Sequence, residues 1–544
     1  MPDGRIRFRL WAPDAGEVTL VLGESEEPMA ALSEGWFERV TKAPFGTAYG
    51  FMVDGRFHAD PAARAQAGDV HGRSLLIDPD GYEWRIAAWR GLPWHETVLY
   101  ELHVGTFTPE GTFRAAAARL DHLAALGITA IELMPLAQFQ GRHGWGYDGV
   151  LPYAPHNAYG TPDDLKAFID AAHERGLMVF LDVAYTHLGP EGSDLAAYAG
   201  AFFNAGRQTQ WGAAIDYKKR PVRDFFIGNA LYWVEEFRFD GLRFDSIEKM
   251  VDGSPLHLLN EIAQAVHSRT VGRRVHLVTE DDRNVVYFHP HDAGSMPTLF
   301  TAEWNDDLHD AAHAIATGEM TGRYADFAED PWDKLARALA EGFAYQGESS
   351  PRFGGEPRGD MSRHQPSTAF VAFLQSHACL GGPERLLSAA GAPVVRVLAA
   401  MLLLSPQIPL LFMGEEWGET NPFLFFSDAE ENAFDASKID WRRLHGGGAE
   451  WLDFYHRLIA LRTRHVVPLL AQARGGAGRI IAAGEGFAAV SWRFGMTRLC
   501  MEINLSGKER LSALPPGEVL FEIGGKDGML KAPGFLFLKE EIAG

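Results

Sequence analysis

The sequence predicts a (β/α)8 barrel carrying a smaller β domain at each end. Three observations carry this expectation. Short runs of alternating apolar and polar residues fill roughly the first 90 positions. Eight apolar runs of strand length then alternate with amphipathic helical stretches. Short alternating runs return after about position 471. With 544 residues the chain is too long for one hydrophobic core. The boundaries read as 1–92, 93–468 and 469–544.

In the first segment Ile6, Phe8 and Leu10 alternate with Arg5, Arg7 and Arg9, and Tyr49, Phe51 and Val53 share one period-2 face. Gly, Pro and Asp clusters separate these runs, a pattern that suggests a β-sandwich. From about Thr97 the strand-length runs cover 98–104, 130–136, 178–185, 241–247, 276–282, 299–304, 369–377 and 408–414. Stretches such as 113–126, 162–176, 223–237 and 257–268 have helical periodicity. Near-continuous apolar strands separated by helices imply a parallel sheet buried on both faces. Eight such units point to a closed barrel with loop insertions. The structural alternative is an open doubly wound sheet, but no Gly-rich phosphate loop follows the first strand. The most apolar stretch, 397–413, is interrupted by Pro406 and Pro409, so it reads as a buried helix and strand rather than a membrane span. Residues 452–464 form one last helix, and 469–544 read as a small C-terminal β-sandwich.

A net charge of −22 argues against nucleic acid as a partner, because phosphate binding needs clustered Lys and Arg. The two cysteines, Cys379 and Cys500, cannot build a disulfide framework or a Cys-based zinc site. They fit a reducing compartment. The opening MPDGRIRFRLWAP has no apolar signal-like stretch, so a cytoplasmic location is expected.

The active site of such a barrel lies at the carboxyl ends of its strands. The third strand ends with Asp182, Tyr185 and His187, the fourth carries Arg243 and Asp245, the fifth ends at Glu280, and the seventh at His377. Residues i and i+2 of a strand share a face. If Asp245 points into the mouth, Arg243 is therefore expected to point there too, with Phe244 packing outward against helices. A guanidinium beside Asp245 favours its ionised form. Burial and the charge of Asp245 raise the pKa of Glu280. Two carboxyls in opposite protonation states are what glycoside hydrolysis uses. The alternative is a structural ion pair at ordinary polar strand ends, with structural roles for His187, His377 and Asp182. A second cluster, Arg142-His143-Gly144-Trp145-Gly146-Tyr147-Asp148, has glycines that permit tight turns and expose Trp145 and Tyr147 for sugar stacking. Its alternative is a loop that covers the core with packed aromatics. His309 and Asp306 are further groups capable of sugar contact, or else solvated loop residues.

Segments from end to end share a pattern: FRLWAPDAGEVTLVL, YELHVGTFTPEGTF, HGWGYDGV, DVAYTHLGPEG, FDGLRFDSI, VTEDDRN, EWNDDLHDA and LLFMGEEWGETNPFLFF. Together they resemble the α-amylase superfamily of glycoside hydrolases, and within it the maltooligosyltrehalose trehalohydrolase family. The resemblance implies a retaining hydrolase that cuts the α-1,4 bond next to the trehalose end of maltooligosyltrehalose. It implies Asp245 as nucleophile, Glu280 as general acid/base and Arg243 as support for the nucleophile. Asp182, His187, His377 and Tyr147 are implied around the sugar at the cleavage position. No cofactor is expected, nor calcium, since Thr186 stands where the family usually has asparagine. Two departures stand out. The family usually has Asn-His-Asp-Gln where this chain has Ser376-His377-Ala378-Cys379, and the loop that follows looks shortened. Ala378 thus occupies the position of a transition-state carboxylate, a loss worth about 10²–10³ in rate, or about 3–4 kcal/mol. Glu248 stands where relatives often have histidine. A branching or debranching activity, or a glucan-binding protein with little turnover, are the alternative functions.

Overall fold

Eight parallel strands close into a barrel in the computed structural model, which describes residues 4–209, 212–290, 299–379 and 384–542. The strands are β1 (Leu99–Leu102), β2 (Ala130–Leu133), β3 (Met178–Val183), β4 (Gly241–Phe244), β5 (His276–Thr279), β6 (Ala302–Trp304), β7 (Phe370–Phe373) and β8 (Ile408–Phe412). They neighbour one another in chain order, and β8 pairs β1 to close the ring. All are buried along their length, because helices cover the outside while side chains fill the interior.

The interior has two levels. An apolar floor is built from Leu99, Ala130, Phe180, Val278, Phe373 and Leu410 among others, and Trp94 closes it from below with its ring against Phe180 and His276. Two residues further along the strands, on the same face, come Glu101, Glu132, Asp182 and Arg243. The period of two in a strand thus converts one step of sequence position into one layer of height, apolar below and charged above. Glu132 is fully buried with neither carboxylate oxygen hydrogen-bonded, and burial, with Glu101 nearby, pushes its pKa well above the ordinary range.

The strands are shorter than the apolar runs, chiefly at their carboxyl ends. The run at 276–282 yields a strand only over His276–Thr279, and 369–377 only over Phe370–Phe373. The chain leaves the ladder where it must aim polar side chains into the mouth. The helical stretch at 113–126 splits into Phe113–Ala117 and Leu120–Leu126, and Gly127 ends it at a φ of 98°. Residues 397–413 form the end of the helix Ala392–Leu404 and then β8. Among the described residues no helix is long and apolar enough to cross a membrane.

The N-terminal segment forms two antiparallel sheets. One joins Ile6–Trp11, Trp36–Thr41 and Ala30–Ala31. The other joins Ser25–Pro28, Val18–Leu22, Ala48–Val53 and Arg56–His58, with Ser74–Leu75 on its side. Phe8 and Leu10 from the first meet Leu20 and Phe51 from the second in a common core. His58 reaches Asp194 of the barrel at 2.9 Å, and the Gly200 amide donates to Asp14 at 2.7 Å. The C-terminal segment is antiparallel throughout. Its last strand, Met529–Glu541, pairs with Thr497–Asn504, Arg510–Leu511 and Glu518–Lys526. Trp492 fixes it to the barrel by donating to the Leu339 carbonyl at 3.0 Å.

Candidate active site

Arg243 is the hub of the mouth. The i, i+2 relation along β4 points Arg243 inward and Phe244 outward, where Phe244 packs edge-on to Tyr185 and Phe300. The guanidinium is fully buried and lies 4.2 Å from the ring of Trp304 on β6. Nη1 donates to Asp182 Oδ2 at 2.6 Å and to Asp245 Oδ1 at 2.8 Å. Nη2 lies 2.9 Å from Glu280 Oε2. One cation therefore joins carboxylates from the ends of β3, β4 and β5.

Backbone geometry sets the two outer carboxylates side by side. The Asp245 amide donates to Val183 and the Glu280 amide to Phe244, so the parallel ladder persists one residue beyond the strands. Ser246 then turns the chain at φ 47°, a left-handed conformation costly for a residue with a side chain. That turn aims its amide at Glu280 Oε2, 2.8 Å away. With Oε2 facing an N–H and a guanidinium, Oε1 is the oxygen left to carry a proton.

The electrostatics divide the pair. Burial works against the charge on Asp245, but Arg243, followed by His377 and Lys249, outweighs it, and the carboxyl titrates below the ordinary aspartate value. Burial dominates at Glu280. Arg243 opposes it, while Asp245, Asp306 and Glu248 add repulsion, so Glu280 titrates well above the ordinary glutamate value. The two shifts run in opposite directions and favour an ionised Asp245 facing a protonated Glu280.

Tyr147 and His377 form the adjoining wall. Their rings stack at 4.9 Å with an angle of 27°. The Tyr147 hydroxyl bonds Asp182 Oδ2 at 2.5 Å and His377 Nε2 at 2.7 Å. His377 Nδ1 is held by Glu101 of β1 at 2.5 Å. Burial raises Asp182 to about 6 despite Arg243. His187 lies close enough to Asp245 to feel its charge; its Nε2 bonds the Tyr147 carbonyl at 2.9 Å, and its Nδ1 lies 2.8 Å from Thr186 Oγ1. It fixes the backbone of the loop that carries Tyr147. The same loop needs Gly146, which has a φ of 96° and whose Cβ, were there one, would lie 2.1 Å from the Pro135 carbonyl oxygen.

Residues 77–229 match the family model for the alpha amylase catalytic domain. A Salmonella typhimurium protein of known crystal structure, provisionally named an alpha amylase, is 48% identical and superposes with a TM-score of 0.97 over 99% of this chain and 98% of that one. The curated malto-oligosyltrehalose trehalohydrolase of Arthrobacter ramosus is 38% identical over 86% of this chain and 88% of its own length. That of Deinococcus radiodurans is 36% identical over 92% of this chain and 89% of its own length. The chain belongs to the malto-oligosyltrehalose trehalohydrolase family.

Within this trehalohydrolase-family fold, several sequence expectations change. Trp145 is half-buried, and its contacts fix the loop. It stacks on Phe423 at 5.1 Å and donates from Nε1 to the Leu424 carbonyl, so it anchors the loop. Tyr147 is half-buried, with one face against His377. His309 is buried behind β7, bonded to the Leu374 carbonyl at 2.7 Å and stacked on Phe373, a packing role. Asp306 is no solvated loop residue. It begins the helix Asp306–Thr317, its side chain is only 5% exposed, and Arg323 binds it at 2.5 Å. Tyr185 turns away from the mouth and bonds Asn229. Ala378 lies on the short turn His377–Cys379 with its methyl exposed. The loop expected to be shortened, after Cys379, begins in 380–383, outside the described residues. Glu248 is half-buried, and burial, then Asp282, raises it to about 7. Sequence reasoning missed Glu101 and Trp304. The signal for Glu101 was present: it is the single charge in the apolar run VLYELHV.

Proposed function

We propose that this protein is a retaining glycoside hydrolase that releases trehalose from maltooligosyltrehalose by cutting the adjacent α-1,4 bond. The observation that carries this reading is the shared contact of Arg243 with Asp245 and Glu280, which holds two carboxyls together while their surroundings drive their protonation states apart. In the first step a carboxylate oxygen of Asp245 attacks the anomeric carbon while Glu280 passes its proton from Oε1 to the glycosidic oxygen. The C–O bond breaks and trehalose leaves. In the second step the Glu280 carboxylate takes a proton from water, the hydroxide attacks the glycosyl ester, and Asp245 is restored. Asp182, Tyr147 and His377 surround the ring at the cleavage position, and His187 supports them through the Tyr147 carbonyl. No cofactor enters these steps.

Full-length similarity to curated trehalohydrolases supports the trehalose-releasing reaction over branching or debranching. Ala378 favours the second reading, a glucan-binding protein with little turnover. Two free cysteines accord with a cytoplasmic enzyme. The test is product analysis by chromatography after incubation with maltotriosyltrehalose. Free trehalose and maltotriose are expected. New α-1,6 branch points, or binding without any hydrolysis, would overturn the assignment.

A further inference from the structure

Glu280 also belongs to a second group of carboxylates at this end of the barrel. One oxygen from each of Glu280, Asp282 and Asp306 lies within 4.8 Å of the others. The three differ in how they are held. Asp282 is partly exposed and bound outward by Arg352 at 2.7 Å. Glu280 faces Ser246 and Arg243. Asp306 is almost wholly buried. Arg323 takes its Oδ1, and its second oxygen has no hydrogen-bond partner among the described residues. Arg323 is itself braced by Asp310 through Nε at 2.6 Å.

Asp306 also borders the turn that carries Ala378. It follows β6, which pairs with β7, and the Asn305 amide donates to Val371 of β7 at 2.8 Å. Arg323 and Asp306 are both close enough to act on the Cys379 thiol, one residue beyond Ala378. A buried carboxylate with an unengaged oxygen therefore stands between the acid Glu280 and a turn whose own side chain, a methyl group, can accept nothing.

We propose that Asp306 is a third catalytic carboxylate, whose free oxygen accepts hydrogen bonds from sugar hydroxyls beside Glu280 and stabilises the positively charged transition state in place of a carboxylate at position 378. This deepens the glycosidase reading above and rests on it. An oxocarbenium-like transition state gains from nearby negative charge, and hydroxyl contacts to that charge strengthen as it develops. Arg323 supplies the orientation: by occupying one oxygen it fixes the plane of the other, so little rearrangement is needed during reaction.

The test measures kcat and KM of the native chain, Asp306→Asn, Asp282→Asn and Ala378→Asp on maltotriosyltrehalose, maltohexaose and pullulan. Thermal unfolding confirms that each variant folds. On whichever substrate the native chain cleaves, D306N is expected to lose about 10²-fold or more, mostly in kcat, and D282N less than about fivefold. A378D should gain less than about threefold, because the role is already filled. Cleavage of maltohexaose or pullulan alone, with the same D306N loss, would sink the trehalose assignment and leave Asp306 in place. D306N turnover within threefold of native would overturn the role of Asp306 and leave the trehalose assignment standing. If D306N does not fold, A378D decides: Ala378 is exposed, and a gain of a hundredfold there would show that the role was vacant. Failure of the native chain to cleave any of the three substrates would equally overturn Asp306 as the replacement.

Discussion

The Ser246 amide donates to Glu280 Oε2 at 2.8 Å, and this contact ties the end of β4 to the end of β5. It uses a left-handed residue to bring an N–H to one oxygen of the acid and leaves the other for the proton. The site is therefore built as much by backbone as by side chains, and its parts can be separated by substitution.

Removal of either principal carboxyl should separate the two chemical steps. Asp245→Asn leaves no nucleophile, and trehalose release should fall by on the order of 10⁴. Glu280→Gln should lose most turnover on maltotriosyltrehalose but retain the first step on an aryl α-maltoside, whose leaving group needs no proton. Stopped-flow release of the aryl group checks this. Equal loss on both substrates would count against Glu280 as the acid.

The pH profile follows from the two opposed shifts. Asp245 must be ionised and its pKa is depressed, so kcat/KM rises with pH below the ordinary aspartate range. Glu280 must be protonated and its pKa is raised, so activity persists above the ordinary glutamate range and falls as pH climbs through that raised value. The two limbs belong to the coupled pair. Asp182 adds an inflection near pH 6, with activity higher on the alkaline, ionised side, and Asp182→Asn should erase it. The measurement is kcat/KM from pH 3 to 10, and the basic limb should vanish in Glu280→Gln.

Loss of the central cation should cost stability as well as rate. Arg243→Met leaves Asp182, Asp245 and Glu280 without their shared partner in a buried site. A penalty of about 3–5 kcal/mol is expected when one side of a buried ion pair is deleted. Denaturant unfolding at pH 7 reads it. The deficit should shrink as pH falls and the carboxyls become neutral, whereas a pH-independent deficit would mean that lost packing on Trp304 is the cause.

Gly146→Ala tests how far the Tyr147 loop is fixed. The added methyl would meet the Pro135 carbonyl, and the positive φ disfavours alanine. The loop must move, carrying Tyr147 away from Asp182 and His377, so kcat should drop while the thermal midpoint changes by only a few degrees. Tyr147→Phe keeps the stack on His377 but deletes the hydroxyl. A loss of about 1.5–3 kcal/mol in transition-state stabilisation, roughly 10- to 100-fold in kcat/KM, is expected for a hydrogen bond to a charged group. If Tyr147→Phe is neutral, the hydroxyl serves only to pack the wall.

Much of this protein follows from its sequence alone. Uninterrupted apolar runs pointed to a sheet buried on both faces, eight of them favoured a closed barrel over an open sheet, and the i, i+2 spacing of Arg243 and Asp245 put both on one face. Those are local periodicities, and the backbone must obey them wherever the chain goes. The tertiary structure alone decided what depends on contacts between distant residues. Glu101 and His377, 276 positions apart, meet only because β8 closes on β1. Trp145 was turned into an anchor by Phe423, His309 was buried behind β7, and Asp306 was set beside Glu280 by Arg323. A side chain's partner is fixed by the packing of separate elements, and no spacing along the chain records which oxygen of which carboxylate will be left free.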